Sequence, residues 1–394
     1  MTLKYDDPEE LMKKLKVRAA AAVILAAVLC IASTAGVNAA AGINVIVNEK
    51  PVNTDARLID GTVYVPLSAI GESLGAGVSW DPATNTVKVE SGEAAIPDVI
   101  SKLSVSVVGI IGKLKESSEN YSDYGDNLIF GSGVIYKANG YIVTNAHVVA
   151  DMESIVVVLS NGKAYNARLK ALDEQSDLAL VKIDKGMLTP AVFGDASDII
   201  VGKPVVAIGT PLSFSLRNSA SKGIISGINR STDGEYRYIQ SDAAINGGNS
   251  GGPLVDMSGR VIGINSVKYT GYGVEGLSFS IPVDTVRYIL GHLEKYGKVK
   301  RPYLGVVFME GVAAKYGLPS TEGLTVSEVK KGSPAEKCGL LQEDVLREID
   351  GNPVTTKVDY NEDMKRYLPG DSAVFKLERD GRPLEVKVVF GEND

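Results

Sequence analysis

Residues 247–253 read Gly-Gly-Asn-Ser-Gly-Gly-Pro. Glycine at Gly247, Gly248, Gly251 and Gly252, followed by Pro253, denies this stretch a stable helix or strand interior and leaves it a tight loop. Ser250, set among those glycines, is held with its hydroxyl exposed while neighbouring backbone N–H groups converge on one point. Acyl transfer needs that arrangement, a nucleophile beside donors for the oxyanion that develops in the transition state. Taken alone, the run is also compatible with a Gly-rich turn that happens to contain a serine.

Other segments decide between these readings. Thr144-Asn145-Ala146-His147-Val148-Val149 holds one of only two histidines in the chain. It follows the apolar run Tyr141-Ile142-Val143, which places His147 at a strand end, where a histidine serves as a base or as a satisfied core residue. The other, His292, lies in 282–296, where Val286, Ile289, Leu290 and Leu293 recur at helical spacing, so it belongs to the surface or flank of a helix. For an acid, Asp173, Asp177 and Asp184 compete. Asp177 is favoured because it opens the strand Leu178-Ala179-Leu180-Val181-Lys182-Ile183. From that end it reaches inward to an imidazole Nδ1–H, fixing the tautomer and stabilising the imidazolium. The chain order His147, Asp177, Ser250 is one of the known orders of the catalytic triad, that of the chymotrypsin-type double barrel.

These residues carry a resemblance. Gly131-Ser132-Gly133-Val134, the run from Ile142 to Val149, Asp177-Leu178-Ala179-Leu180, Gln240-Ser241-Asp242-Ala243-Ala244-Ile245-Asn246 and Phe279-Ser280-Ile281-Pro282 together resemble the HtrA/DegP-type serine proteases. The match extends over roughly residues 97 to 390. Two positions depart from the family pattern: Gly247 stands where proline is usual, and Ser280 where alanine is usual. Glycine at 247 admits conformations that proline forbids and so loosens the loop. The resemblance implies a mainly β chain with a chymotrypsin-like double β-barrel. Ser250 would attack the peptide carbonyl, His147 would take its proton and return it to the leaving amine, and Asp177 would orient His147. The N–H groups of Gly248 and Ser250, with Asn249 shaping the loop between them, would bind the oxyanion. Ala244 occupies the position six before the nucleophile where trypsin-like pockets place a carboxylate, and Ile245 and Leu277 line the same pocket by the family match. A neutral, apolar, narrow pocket favours small or branched aliphatic side chains over Lys or Arg.

The C-terminal part has a signature of its own. Tyr303-Leu304-Gly305-Val306 starts a strand, Gly332 to Leu340 reads as a capped short helix ended by glycine, and Asp344 to Val354 reads as strand and turn. Leu368-Pro369-Gly370-Asp371 precedes two strands joined at Arg379-Asp380-Gly381-Arg382. The pattern resembles a PDZ domain, which implies capture of a peptide's free C-terminal carboxylate by the loop Tyr303, Leu304, Gly305 and Val306, the peptide adding as a strand. The bland alternative is a β-domain acting only as an oligomer spacer.

At the other end, residues 19–42 carry no charge and follow Lys13, Lys14, Lys16 and Arg18, the pattern of a secretory signal or an uncleaved signal anchor with one N-terminal transmembrane helix. Residues 43–91 read as a small α+β unit: a strand near Val45, a second at Thr62 to Pro66, a helix from Leu67, and a hairpin of Val78–Asp81 with Thr86–Val89. It resembles the copper-amine-oxidase N-terminal domain, without His, Cys or Met for copper chemistry, and suggests spacing or wall attachment. Residues 92–100 read as a linker, and Ser117 to Asn127 as a long exposed polar loop. The domain limits expected are therefore 1–42, 43–91, 97–298 for the protease and 301–391 for the PDZ part.

Composition excludes several classes. A net charge of −7 with no basic stripe argues against nucleic-acid binding. With only Cys30 and Cys338, and two histidines, neither a disulfide framework nor a zinc site is expected, and no metal or cofactor is implied. The reading is an extracytoplasmic serine endopeptidase, secreted or held at the cell envelope, degrading unfolded or damaged proteins and regulated by peptides with free C-termini. A homo-oligomer, a trimer by resemblance, is expected. The competing reading is a chaperone-like peptide-binding protein with little proteolysis.

Overall fold

The computed structural model describes residues 43–74, 76–90, 96–115, 127–210, 214–231, 235–266 and 276–392. The signal-like segment 1–42 with Cys30, and nearly all of the polar loop 117–127, lie outside them. The chain divides into two compact units, Met1–Ser91 and Gly92–Asp394.

In the first unit three hairpins flank one helix: β1 (Val45–Val47) with β2 (Lys50–Val52), β3 (Arg57–Ile59) with β4 (Thr62–Tyr64), and β5 (Gly77–Asp81) with β6 (Thr86–Glu90). Asn48 and Glu49, at φ 50° and 64°, and Asp60 and Gly61, at φ 48° and 76°, make tight turns of the type that matches strand twist. Sequence reading missed β2 and β3, because strands of three residues are too short to show a period. The helix Leu67–Ser73 packs through Gly71, whose missing Cβ is replaced by the Val78 side chain. Val78 and Trp80 stand opposite Val89 and Val87, so these four share one face of the last hairpin. Trp80, Val87 and Val89 are nevertheless 54%, 48% and 52% exposed, and among the described residues of this unit Gly71 alone is buried.

The second unit begins with a surprise for the sequence reading. The helix Ile96–Ser104 begins inside residues 92–100, which read as linker, and it buries Val99 and Leu103 against the barrels. Ile96, Val99, Ile100 and Leu103 have the i, i+3, i+4, i+7 spacing that makes one apolar stripe. A closed barrel follows, of β7 (Val107–Leu114), β8 (Leu128–Lys137), β9 (Tyr141–Thr144), β10 (Met152–Val158), β11 (Ala164–Asp173) and β12 (Leu178–Ile183), closed by β10 against β7. The next six strands close a second barrel: β13 (Pro204–Gly209), β14 (Ser219–Arg230), β15 (Tyr238–Ser241), β16 (Pro253–Asp256), β17 (Val261–Ser266) and β18 (Ser278–Pro282). This is the chymotrypsin-like double barrel. Each barrel has its own interior cluster, and a third cluster fills the seam between them. The helix Val283–Tyr296 lays Val286, Ile289, Leu290 and Leu293 on that seam and ends at Gly297, φ 72°, whose N–H closes on the Leu293 carbonyl.

The C-terminal PDZ fold is an antiparallel sheet in the order β20 (Val306–Glu310), β21 (Leu324–Val329), β22 (Val345–Ile349), β24 (Ser372–Arg379), β25 (Arg382–Val389). The short β19 (Pro302–Tyr303) pairs with β26 (Gly391–Glu392), and β23 (Asn352–Pro353) turns back on β22. Ser333 caps the helix Pro334–Lys337, and Thr356 with Asp359 forms a capping box on the helix Lys357–Met364. That helix faces β20, with Tyr360 packed on Phe308 at a centroid distance of 5.0 Å.

Among the described residues of the first unit no apolar side chain is buried. Two-stranded hairpins are marginal in water, and a small domain without staples needs a core to outweigh chain entropy. A peptide of residues 43–91 is expected to melt without a cooperative transition in circular dichroism, whereas residues 92–394 melt cooperatively; a sharp transition in the isolated peptide would contradict this account.

Candidate active site

His147 does not sit at the strand end itself. It lies on the short helix Ala146–Val149 that follows β9, with Ala146, Val148 and Val149 buried. Its own side chain is 46% exposed. Gly131 on β8 makes room for this turn, since a Cβ there would collide with Val148. Asp177 ends the turn after β11 in the left-handed region, φ 55°, which aspartate tolerates better than most residues. Its backbone carbonyl accepts from Asn145 Nδ2 at 2.9 Å and from the Ala146 N–H at 3.1 Å, so the strand end and the helix start are tied together. Its buried carboxylate lies 2.9 Å from His147 Nδ1 through both oxygens and accepts the His147 N–H at 3.1 Å. A ring N–H at Nδ1 facing a carboxylate leaves Nε2 as the acceptor nitrogen of a neutral imidazole. Ser266, on β17 of the other barrel, donates from Oγ to Asp177 Oδ2 at 3.0 Å. Nothing in the sequence singled out Ser266.

The competing acids go elsewhere. Asp184 pairs with Arg168 on the surface. Asp173 receives both Nη1 and Nη2 of Arg301 at 2.7 Å, and also the hydroxyl and N–H of Ser176 at 2.6 and 3.0 Å. Burial works to raise the Asp173 carboxyl, but the Arg301 guanidinium and the Ser176 donors outweigh it and hold the carboxyl below the usual range. His292 accepts the Lys300 N–H at Nδ1, 3.1 Å, and burial, with Arg301 and Lys295 nearby, pushes its imidazole below the ordinary value.

Ser250 is carried by the second barrel and is buried, not exposed as the glycine-rich run implies. Within its loop the N–H groups of Asn249, Gly251 and Gly252 are bonded to the carbonyls of Asn246, Asn265 and Asn249. Those of Gly248 and Ser250 make no hydrogen bond among the described residues. Gly248 adopts φ 98°, which only glycine holds without strain. A Cβ on Gly247 would meet open space. Asn265 closes the far side of the loop through its own N–H to the Gly252 carbonyl at 2.8 Å and its Nδ2 to the Pro253 carbonyl at 3.1 Å. Ser280 donates to Asn265 Oδ1 at 3.0 Å, which satisfies its buried hydroxyl.

Ala244, Ile245 and Leu277 lie at one end of neighbouring strands, since β15 and β18 pair Ser241 with Ser278. Ala244 and Leu277 are exposed, and Ile245 leans on the interior of the second barrel.

In the PDZ part, Tyr303, Leu304, Gly305 and Val306 line a cleft of about 220 Å³, with Phe308 and Tyr360 on the same side. Gly305 has φ 81° and its carbonyl accepts the Lys330 N–H, while the buried Leu304 offers its carbonyl to Ala335. Tyr236 and Arg301 close the cleft from the protease side, and Arg301 donates to the Tyr236 hydroxyl at 3.0 Å. A cation at this cleft was invisible in the sequence, where Arg301 is one of several basic residues around a domain boundary.

Comparison with known proteins agrees with this architecture. Family models match a trypsin-like peptidase domain over residues 131–264, a PDZ domain over 302–389 and a copper amine oxidase N-terminal domain over 46–114. Serine protease Do-like HtrB of Bacillus subtilis (strain 168) is 37% identical over 315 residues, covering 73% of this chain and 69% of the relative. A probable periplasmic serine endoprotease, DegP-like, of Pseudomonas putida (strain W619) is 39% identical over 267 residues, 66% of this chain and 55% of its own length. The solved HtrA-type protease AlgW with decapeptide matches at TM-score 0.64 and 30% identity, covering 76% of this chain and 98% of that one. A double barrel with a PDZ domain behind it and relatives of this closeness place the chain among the serine proteases. It belongs to the HtrA/DegP family of serine endoproteases.

The Asp173–Arg301 pair ties the turn before Asp177 to the linker before the PDZ fold. A carboxyl whose folded pKa is depressed contributes stability above its unfolded pKa and loses it as pH falls through the folded value. Asp173→Asn is expected to destabilise the chain by about 3 kcal/mol near neutrality. The difference in Tm between wild type and variant should then shrink as pH falls below about 4, where the unfolded carboxyl protonates first and the folded one follows at lower pH. Melting curves from pH 3 to pH 7 check this, and a pH-independent difference would count against it.

Proposed function

We propose that this serine endoprotease hydrolyses peptide bonds through an acyl-enzyme, with Ser250 as nucleophile, His147 as general base and then acid, and Asp177 holding the imidazole. The observation that carries the reading is the contact of His147 Nδ1 with both Asp177 oxygens at 2.9 Å, which turns Nε2 into the proton acceptor. The unbonded N–H groups of Gly248 and Ser250 are the donors for the oxyanion. Ala244, Ile245 and Leu277 give a neutral wall to the first substrate pocket, which suits small or branched aliphatic side chains.

The natural substrates on this reading are unfolded or damaged proteins outside the cytoplasm, in line with the periplasmic relatives. Peptides with free C-termini dock at Tyr303, Leu304, Gly305 and Val306 and add to the PDZ sheet, as supported by the relative solved with a decapeptide. The working form is a homo-oligomer.

Casein cleavage tests the chemistry. Wild type is expected to cleave, and Ser250→Ala, His147→Ala and Asp177→Asn are each expected to lose most activity with unchanged melting curves, non-additively in combination. Suppression of aggregation by wild type and Ser250→Ala alike, without cleavage by either, would favour the chaperone-like reading instead. At the PDZ cleft, amidating the C-terminus of an apolar peptide should cost most of its affinity by calorimetry, because the charge-assisted hydrogen bonds are lost. Equal affinities for acid and amide would remove carboxylate capture.

A further inference from the structure

Ser132 lies on β8 of the first barrel, between Gly131 and Gly133, and is fully buried. Each of its polar functions is engaged. Its N–H donates to the Ser250 carbonyl at 2.8 Å, and its carbonyl accepts from Thr144 Oγ1 at 2.7 Å. Its hydroxyl donates to the Gly248 carbonyl at 2.8 Å and accepts the Thr210 N–H at 2.9 Å. Because the Thr210 N–H occupies one lone pair of Oγ and has no alternative role there, the hydroxyl proton is left for Gly248.

One residue of the first barrel therefore holds the carbonyls of the two residues whose N–H groups face the oxyanion in the mechanism proposed above. A peptide unit is planar, so fixing these carbonyls fixes the planes of the 248–249 and 250–251 peptides. Between them lies the 249–250 peptide, which carries the Ser250 N–H. The tie at Gly248 also restrains a glycine in the left-handed region, φ 98°, that has no side chain to limit its swing. The main-chain bond to Ser250 would survive any substitution at 132 other than proline; the bond to Gly248 needs a side-chain donor. Gly209 preserves the space for it, since a Cβ there would fall 2.6 Å from Asn249 Oδ1 and 3.0 Å from Ser132 Oγ.

We propose that Ser132 is a positioning residue for the oxyanion loop, its hydroxyl pinning the Gly248–Asn249 peptide so that the N–H groups of Gly248 and Ser250 converge before substrate arrives. The proposal rests on the serine-protease reading and on those two donors. It also makes the first barrel responsible for more than the base and its acid: it shapes the electrophilic half of the site, which the second barrel carries.

The test is Ser132→Ala, assayed on a fluorogenic peptide with Val or Ala at the cleavage site. Losing an oxyanion donor outright costs ~10²–10³ in kcat, so losing its positioning is expected to cost about 10- to 100-fold in kcat. KM should stay within about two-fold, because ground-state binding is untouched. Affinity for a peptide aldehyde, whose adduct carries the oxyanion, should fall in step with kcat/KM. The pH midpoint of kcat/KM should not move, since the His147–Asp177 contact is unaltered. Should Ser132→Ala melt below the assay temperature, Ser132→Cys, of similar size and with a weaker donor, is expected to show the same pattern with a smaller loss. A folded variant with wild-type kcat, a loss confined to KM, or an unchanged aldehyde affinity would each overturn the proposal. Failure of a fluorophosphonate to label Ser250 in the wild type would instead remove the reading beneath it.

Discussion

The proposed triad depends on one apolar seam. His147 and Asp177 ride on the first barrel and Ser250 on the second, so no strand or loop by itself holds the three together. Val134, Val143, Leu178 and Leu180 meet Val206, Ile208, Val255, Ile264 and Ile281 there, with the helices Ile96–Ser104 and Val283–Tyr296 packed on the same cluster. Burial of this kind is strong but has no direction; it presses the barrels together without choosing their registration. Direction comes from short polar ties laid across the seam. Ser266 reaches back from the second barrel to Asp177, and Ser132 reaches forward from the first to Ser250 and Gly248. In a water-excluded seam such bonds are costly to leave unmade, which makes them selective for one arrangement.

A second set of ties runs from the same region to the PDZ fold. Asp173 holds Arg301 on one side and Ser176 on the other, and the next residue after Ser176 is Asp177. Arg301 faces the cleft formed by Tyr303 to Val306. Arg237 donates to Asp359 at 2.7 Å, and Lys365 to Thr285 Oγ1 at 2.6 Å, so the helix Lys357–Met364 and its C-terminal flank are also bonded to the protease fold. If a peptide carboxylate docks at this cleft as proposed, it meets a guanidinium already engaged by Asp173, four residues before Asp177. Coupling through a chain of this kind requires that the turn have two arrangements, which a comparison of peptide-free and peptide-bound forms addresses directly.

What was legible in the sequence was local. The serine loop, the histidine run and the strand opened by Asp177 are short patterns with fixed chemistry, and the structure brings His147 and Asp177 into direct contact. The helix Val283–Tyr296 announced itself by its apolar spacing. The helix Ile96–Ser104 has the same spacing but is too short to stand out beside a polar boundary, and its first residues read as linker. Ser132 and Ser266 left no trace because their meaning is tertiary: one acts on a loop 116 residues away and the other on a carboxylate 89 residues away. A buried serine looks like any other serine until its partner is known. The same holds for Arg301, whose partner Asp173 lies 128 residues earlier.

Gly247 and Ser132 bear on one problem from opposite ends. A proline in place of Gly247 would fix one dihedral and lower the entropy lost on ordering, an effect of about 0.4–1 kcal/mol. This chain has glycine there, with open space around the missing Cβ and Gly248 beside it in a conformation open only to glycine. The loop thus has little intrinsic preference for the shape its chemistry needs, and the shape has to be imposed from outside. Asn265 imposes it after the nucleophile and Ser132 before it, each through hydrogen bonds from a rigid strand. In the proposed mechanism, the looseness introduced at Gly247 leaves the shape of the oxyanion site to the residues that brace the loop, Ser132 and Asn265.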